Sequence, residues 1–203
     1  MPFAVRRATP DDIDAVVAVV AAAFADYPHW VWVEPDPAAR AVAVAAFYGA
    51  DLPPLVALGA TDVVEDGGAV VAAAVWCRSG DLAGDWGADA LGALAPPVAA
   101  RLATALALMQ GNAPTEPHRY LDVLAVDPAR QGAGLGTRAV AAGLARADAE
   151  GAPCYLETAR SANLPLYHRL GFETVSTAPL DHLRIWGLRR SARPFVSPGT
   201  RLV

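Results

Sequence analysis

The sequence predicts an α/β sandwich built on one mixed β-sheet, and three observations carry that expectation. Segments of strand-like and helix-like periodicity alternate in the order β-α-α-β-β-α-β-α-β-α-β-β. One strand, Arg119 to Val126, runs through a glycine-rich turn straight into an amphipathic helix. The 203 residues, 54% hydrophobic and 18% charged, suffice for one core, read here as a single domain at 1–190 with a C-terminal tail at 191–203.

Each element follows from local chemistry. Phe3 to Ala8 reads as a short strand, and Thr9-Pro10-Asp11-Asp12 as a helix start: a capping hydroxyl, a proline in the first turn and two acids there. Ile13, Val16, Val17, Val20 and Phe24 recur at helical spacing, and the helix is expected to stop before Pro28. A second helix is expected from Pro37 toward Pro53-Pro54. Thr61 to Glu65 and Ala69 to Arg78 are apolar strands around the hairpin signal Asp66-Gly67-Gly68. Ser79 to Pro117 is alanine-rich and helical in parts, broken at Gly92 and Pro96-Pro97. After the strand 119–126 come a helix from Gly134 to Glu150, ended by Gly151, and a strand at Cys154 to Glu157. A short helix from Asn163 to Leu170, a strand at Phe172 to Val175 and a last strand at Leu183 to Leu188 complete the pattern.

Composition excludes several classes. The chain has no lysine, and its sixteen basic residues are all arginine; with the alanine load this reads as a GC-rich bacterial composition. A net charge of −5 argues against nucleic acid as the main partner, since phosphate neutralisation needs clustered basic residues. Cys77 and Cys154 lie isolated in apolar runs and read as buried, reduced thiols. The histidines have no metal-ligand spacing, so no metal is expected. The N-terminal residues lack an apolar signal core, and the apolar run Ala15 to Ala25 is too short to span a bilayer. A soluble, cytoplasmic protein without a membrane partner is expected.

The segment Leu124-Ala-Val-Asp-Pro-Ala-Arg-Gln-Gly-Ala-Gly-Leu-Gly-Thr-Arg138 carries the chemistry. It places free backbone N–H groups at a helix N-terminus, where the macrodipole attracts phosphate. Gly132, Gly134 and Gly136 permit close approach of an anion, Thr137 adds a hydroxyl, and Arg130 or Arg138 adds positive charge. Three alternating glycines are equally compatible with a bare strand-to-helix turn. A dinucleotide fingerprint fails on context, because the unit lies late in the chain, and a Walker-type loop fails for want of lysine.

Gln131-x-x-Gly134-x-Gly136 after a strand ending Val-Asp-Pro resembles the acetyl-CoA signature of GNAT acetyltransferases. Tyr155 to Phe172, with its Tyr-x-x-Leu-Gly-Phe ending, resembles the family's next strand and helix. Ala21 to Pro28, Ala74-Val-Trp76 and Leu156-Glu-Thr158 followed by Asn163-Leu-Pro-Leu-Tyr167 are similar to the puromycin N-acetyltransferase-like group within that family. The likeness spans roughly residues 5 to 190. Departures concentrate at His29 to Glu34 and Ser79 to Pro117, where an acceptor would be chosen.

The resemblance implies a GNAT-type mixed sheet of about six or seven strands with helices on both faces. It also implies acetyl-CoA as co-substrate, direct attack by a primary amine in a ternary complex, and room for a homodimer. On it, Leu124, Ala125, Val126, Arg130, Gln131, Gly132, Gly134, Leu135, Gly136, Thr137 and Asn163 bind the cofactor. Tyr167, four residues after Asn163 and on the same helical face, is the expected acid toward the departing thiolate; spacing alone leaves it an ordinary half-buried aromatic. Glu157 is the first candidate base and Asp122 the second. Asp122 is expected on one strand face with His118, Tyr120, Leu124 and Val126. Tyr120 stands where some members carry a base glutamate, so a water chain without a dedicated base also stays open. Tyr27, His29 and Trp30, with Trp32, form an aromatic cluster that either lines the acceptor site or staples a loop. The expected activity is N-acetylation of a small-molecule amine. The alternatives are a protein or peptide N-acetyltransferase and an acyl-CoA-binding sensor without turnover.

Overall fold

A computed structural model describes residues 3–81 and 87–192. Within it one seven-stranded sheet runs in the order β1-β2-β3-β4-β5-β7-β6. The strands are β1 (Ala4–Arg7), β2 (Thr61–Asp66), β3 (Ala69–Arg78), β4 (Arg119–Val126), β5 (Cys154–Thr158), β6 (Glu173–Leu180) and β7 (Leu183–Arg190). Only β4 and β5 pair in parallel; every other pairing is antiparallel. The mixed sheet flanked by helices is the architecture that the alternating periodicities predict. Residues 193–203, most of the expected tail, lie outside the described residues, as do 82–86 within the alanine-rich segment.

Two cores sandwich the sheet. On one face α1 (Ile13–Phe24), α2 (Pro28–Val33) and α3 (Pro37–Ala57), with α4 (Ala88–Gly92) and α5 (Pro96–Asn112), cover Val63, Ala73, Val75, Val123 and Ala125. On the other, α6 (Leu135–Glu150) and α7 (Leu164–Arg169) cover Val64, Ala72, Ala74, Trp76 and Leu121. Asp12 anchors the first turn by accepting the Thr9 N–H at 2.7 Å while Arg6 grips its two oxygens at 2.7 and 2.8 Å. That pairing holds the Asp12 carboxyl well below the usual carboxylate range.

Four expectations about elements are corrected. Pro28 does stop α1, but it also begins α2, because its missing N–H costs nothing at a helix start. Pro53 and Pro54 do not end α3, which continues to Ala57; Leu52, Leu55 and Val56 bury its apolar face deeply enough to outweigh two absent N–H donors. β6 runs on through Pro179 to Leu180. As the edge strand of the sheet it tolerates a residue that cannot donate.

The fourth correction concerns Asp122. Val75 pairs with Val123 and Trp76 with Leu121, so Asp122 is an extra residue on β4, a β-bulge. The bulge resets the alternation. Tyr120, opposite Cys77, shares its face with Val123 and Ala125, whereas Leu124 and Val126 pack beneath α6 on the other face. The single face expected for Tyr120, Asp122, Leu124 and Val126 therefore does not form.

Candidate active site

β4 and β5 are paired at only two positions, Arg119 with Cys154 and Tyr120 with Tyr155. Beyond them the strands part, leaving the β5-side edge of Leu124, Ala125 and Val126 without a strand to pair. A cavity of about 480 Å³ occupies the parting. Its walls come from both faces of the sheet: Asp51 and Tyr48 from α3, Asn163 and Tyr167 from the start of α7, and Asp122, Leu124 and Glu157 from the two strands.

At one end of the parting lies the glycine-rich turn. Gly132 and Gly134 adopt φ of 83° and 75°, which side chains rarely tolerate, and Gly134 caps α6. The turn is exposed, and Leu135, which begins the helix, is buried beneath it. A Cβ at Gly136 would meet only ordinary contacts, with Val126 at 3.6 Å the nearest. The first N–H groups of this 16-residue helix thus open onto solvent, with Thr137 exposed in the same turn. Gln131 braces the turn by donating to the Val126 carbonyl at 3.4 Å. Arg130 is ion-paired to Asp66, the last residue of β2.

Glu157, near the end of β5, accepts from the Tyr120 hydroxyl at 3.0 Å and lies 3.1 Å from the Tyr155 hydroxyl. Burial pushes its carboxyl up to about 7, while the tyrosine hydrogen bonds pull it down. Asp122 is also pushed well up, first by burial and then by the negative charges of Asp51 and Glu157. Asn163 ends a short 3-10 turn (Ser161–Asn163) and caps α7 rather than standing inside it, yet it still lines the cavity together with Tyr167. Tyr167 is 5% exposed and meets the Phe172 ring edge-on at 6.2 Å. Burial drives its hydroxyl far above the usual phenol range, so it keeps its proton.

The model of the Acetyltransferase (GNAT) family matches residues 61–172, more than half of the chain, from the start of β2 to the residue before β6. The chain belongs to the GNAT acetyltransferase family. It is an acetyl-CoA-dependent N-acetyltransferase of the GNAT type. Solved structures agree with the fold. One from Corynebacterium glutamicum, described as histone acetyltransferase HPA2 and related acetyltransferase, is 27% identical at a TM-score of 0.70, covering 97% of this chain and 100% of that one. The polyamine N-acetyltransferase of Drosophila melanogaster is 16% identical, with a TM-score of 0.59 over 94% and 100% of the two chains. The PaiA N-acetyltransferase of Thermoplasma acidophilum, solved in complex with coenzyme A, is 10% identical, with a TM-score of 0.61 over 94% and 99%.

In this GNAT enzyme the aromatic cluster divides. Tyr27 stacks on Phe24 at 4.9 Å, and its hydroxyl meets Thr158 Oγ1 at 2.7 Å, tying the α1–α2 connection to the end of β5. His29 lies edge-on to Tyr27, and burial lowers its imidazole to about 4, so it stays neutral at pH 7. Trp30 is fully buried against Phe47 and Tyr48, forming the cavity floor from within the core. Trp32 turns away toward Asp181. Arg40, expected only as a residue of the second helix, fastens this wall by donating to the carbonyls of Ala25, Glu34 and Pro35. Asp51 was also missed: it is 7% exposed and borders the cavity, yet in sequence it is one more acid beside a proline pair. Cys77 and Cys154 are free and buried. Among the described residues no helix is long and apolar enough to cross a membrane, and no cluster fit for a metal is present.

Proposed function

We propose that this GNAT enzyme transfers the acetyl group of acetyl-CoA to a primary amine of a small molecule, with reaction at the parting of β4 and β5. The observation that carries the reading is the meeting in one cavity of a buried, protonated Tyr167 and a carboxyl, Glu157, poised near pH 7. The exposed turn at Gly132–Gly136 with Thr137 receives the pyrophosphate on helix N–H groups, Asn163 holds the pantetheine arm, and the unpaired edge at Leu124–Val126 polarises the thioester carbonyl.

Glu157 takes a proton from the incoming ammonium; Asp122 is the second candidate for that role. The amine lone pair then forms the N–C bond at the carbonyl carbon. As the C–S bond breaks, the sulfur takes the Tyr167 proton, and the excess proton on nitrogen restores the phenol. One proton is released overall.

A small acceptor is favoured over a peptide because α5 and residues 113–115 form a wall of the same cavity. The motifs shared with the puromycin N-acetyltransferase-like group point the same way, and the departures at 29–34 and 79–117 argue for an acceptor of different shape. Thiol release should be measured with primary amines and with histone-tail peptides. Faster release with small amines supports the proposal. Release with peptides alone moves the acceptor to protein.

A further inference from the structure

One wall of the cavity is a thin layer between its interior and solvent. Tyr27, Thr158 and Ala159 line the cavity there. Asp26 and Arg160 flank them on the solvent side, with side chains 80% and 31% exposed. Both segments are connections: residues 25–27 link α1 to α2, and residues 159–160 follow β5. Among the described residues, the hydrogen bonds that join the two segments all involve a side chain.

The layer is fastened from inside and outside. Inside, the Tyr27 hydroxyl lies 2.7 Å from Thr158 Oγ1 and accepts the Ala159 N–H at 3.3 Å. The Arg160 N–H donates to the same Thr158 oxygen at 3.2 Å. Outside, the Arg160 guanidinium lies over the Tyr27 ring, 5.2 Å from its centroid, and donates at 2.9 Å to both the carbonyl and Oδ1 of Asp26. An exposed ion pair and an exposed cation–π contact are each weak, so this clasp can open without disturbing the core. While it is shut, it sets where the cavity ends. Asn163 and Tyr167, a few residues beyond Arg160, line the same space.

We infer that Arg160 is a positioning residue that sets acceptor size: by clasping Asp26 and Tyr27 it keeps this wall shut and restricts transfer to amines whose body fits the closed cavity of about 480 Å³. This rests on the reading of the cavity as the site of transfer. Bulkier amines enter only the fraction of molecules whose wall is open, and their apparent affinity falls by that fraction. Arg160 acts through Tyr27 and Asp26, so an amine that fits the shut cavity is indifferent to its loss.

The test measures kcat/KM for thiol release with benzylamine, naphthylmethylamine and biphenylmethylamine, for wild type, Arg160→Ala and Asp26→Asn. Hydrogen exchange of the Ala159 amide, which donates to the Tyr27 hydroxyl, reports the opening of the wall independently of turnover. Arg160→Ala should speed that exchange, leave α3 protected, and raise kcat/KM for biphenylmethylamine about tenfold, the scale of losing an exposed ion pair together with a cation–π contact. Its benzylamine value should be unchanged. Asp26→Asn keeps the carbonyl contact and should move the same way by less. An unchanged size ranking in Arg160→Ala overturns the proposal, whether or not exchange quickens. An equal loss with every amine also overturns it, since a merely structural role would act that way. Absence of thiol release with any amine would remove the transfer reading; the size ranking, read as calorimetric affinity of the CoA complex for the three amines, then decides the role of Arg160.

Discussion

Glu157 sits between two opposing influences: burial holds its proton on, and the hydroxyls of Tyr120 and Tyr155 draw the proton off. Its folded-state value near 7 lies above the ordinary carboxylate value, so the folded protein binds a proton there that the unfolded chain has already lost. Stability from this group is therefore full below the ordinary carboxylate range, is lost as pH rises through about 7, and changes no further above that. A base gains in the opposite direction, so kcat/KM should rise with pH through about 7. Glu157→Gln should lose turnover by about 10²-fold or more, yet at pH 8 unfold at a higher temperature, because on the order of 1–3 kcal/mol of burial penalty is relieved. Unchanged pH profiles of both turnover and melting would remove Glu157 from the site. Which side chains stand there was partly legible: Tyr167, Glu157 and Asn163 were named on the resemblance to the family, and all three line the cavity. Asp51 was not, since burial and cavity position depend on how α3 packs. The Asp122 bulge was not legible either, because an extra residue in a strand leaves no mark on a run of alternating residues.

At the scale of elements, α6 is pressed against β3 more closely than a side chain allows. A Cβ on Gly143 would fall 2.0 Å from the indole nitrogen of the buried Trp76, so the helix lies over the ring because position 143 has no side chain. Gly143→Ala should be destabilising by about 1–3 kcal/mol, against the usual gain for such a change in a helix, because the rigid indole must move. Equilibrium unfolding in urea checks this; a stabilised variant would show that α6 has room to slide. The position of α6 matters because its first turn is the exposed turn proposed to receive the pyrophosphate. Helices and strands with strong periodicity were readable from sequence. Prolines misled in both directions, since Pro28 starts a helix and Pro53-Pro54 sit inside one, and only tertiary burial of Trp30, Leu52 and Leu55 decides those cases.

For the whole molecule, the sheet order and the early end of β4–β5 pairing explain why residues distant in sequence share one cavity. Asp51, Asp122, Glu157 and Tyr167 come from four elements, and the parting between two parallel strands is where they converge. The order of the strands was legible, but the parting was not, because pairing length is a property of two strands and not of either one. The most direct test is amine-dependent thiol release by wild type and Tyr167→Phe at saturating acetyl-CoA, with acetyl-CoA affinity measured alongside. The account predicts release by wild type only when an amine is present, and about a 10²-fold loss in Tyr167→Phe with affinity nearly unchanged. Acetyl-CoA binding with no release under any amine, or full turnover in Tyr167→Phe, would contradict it.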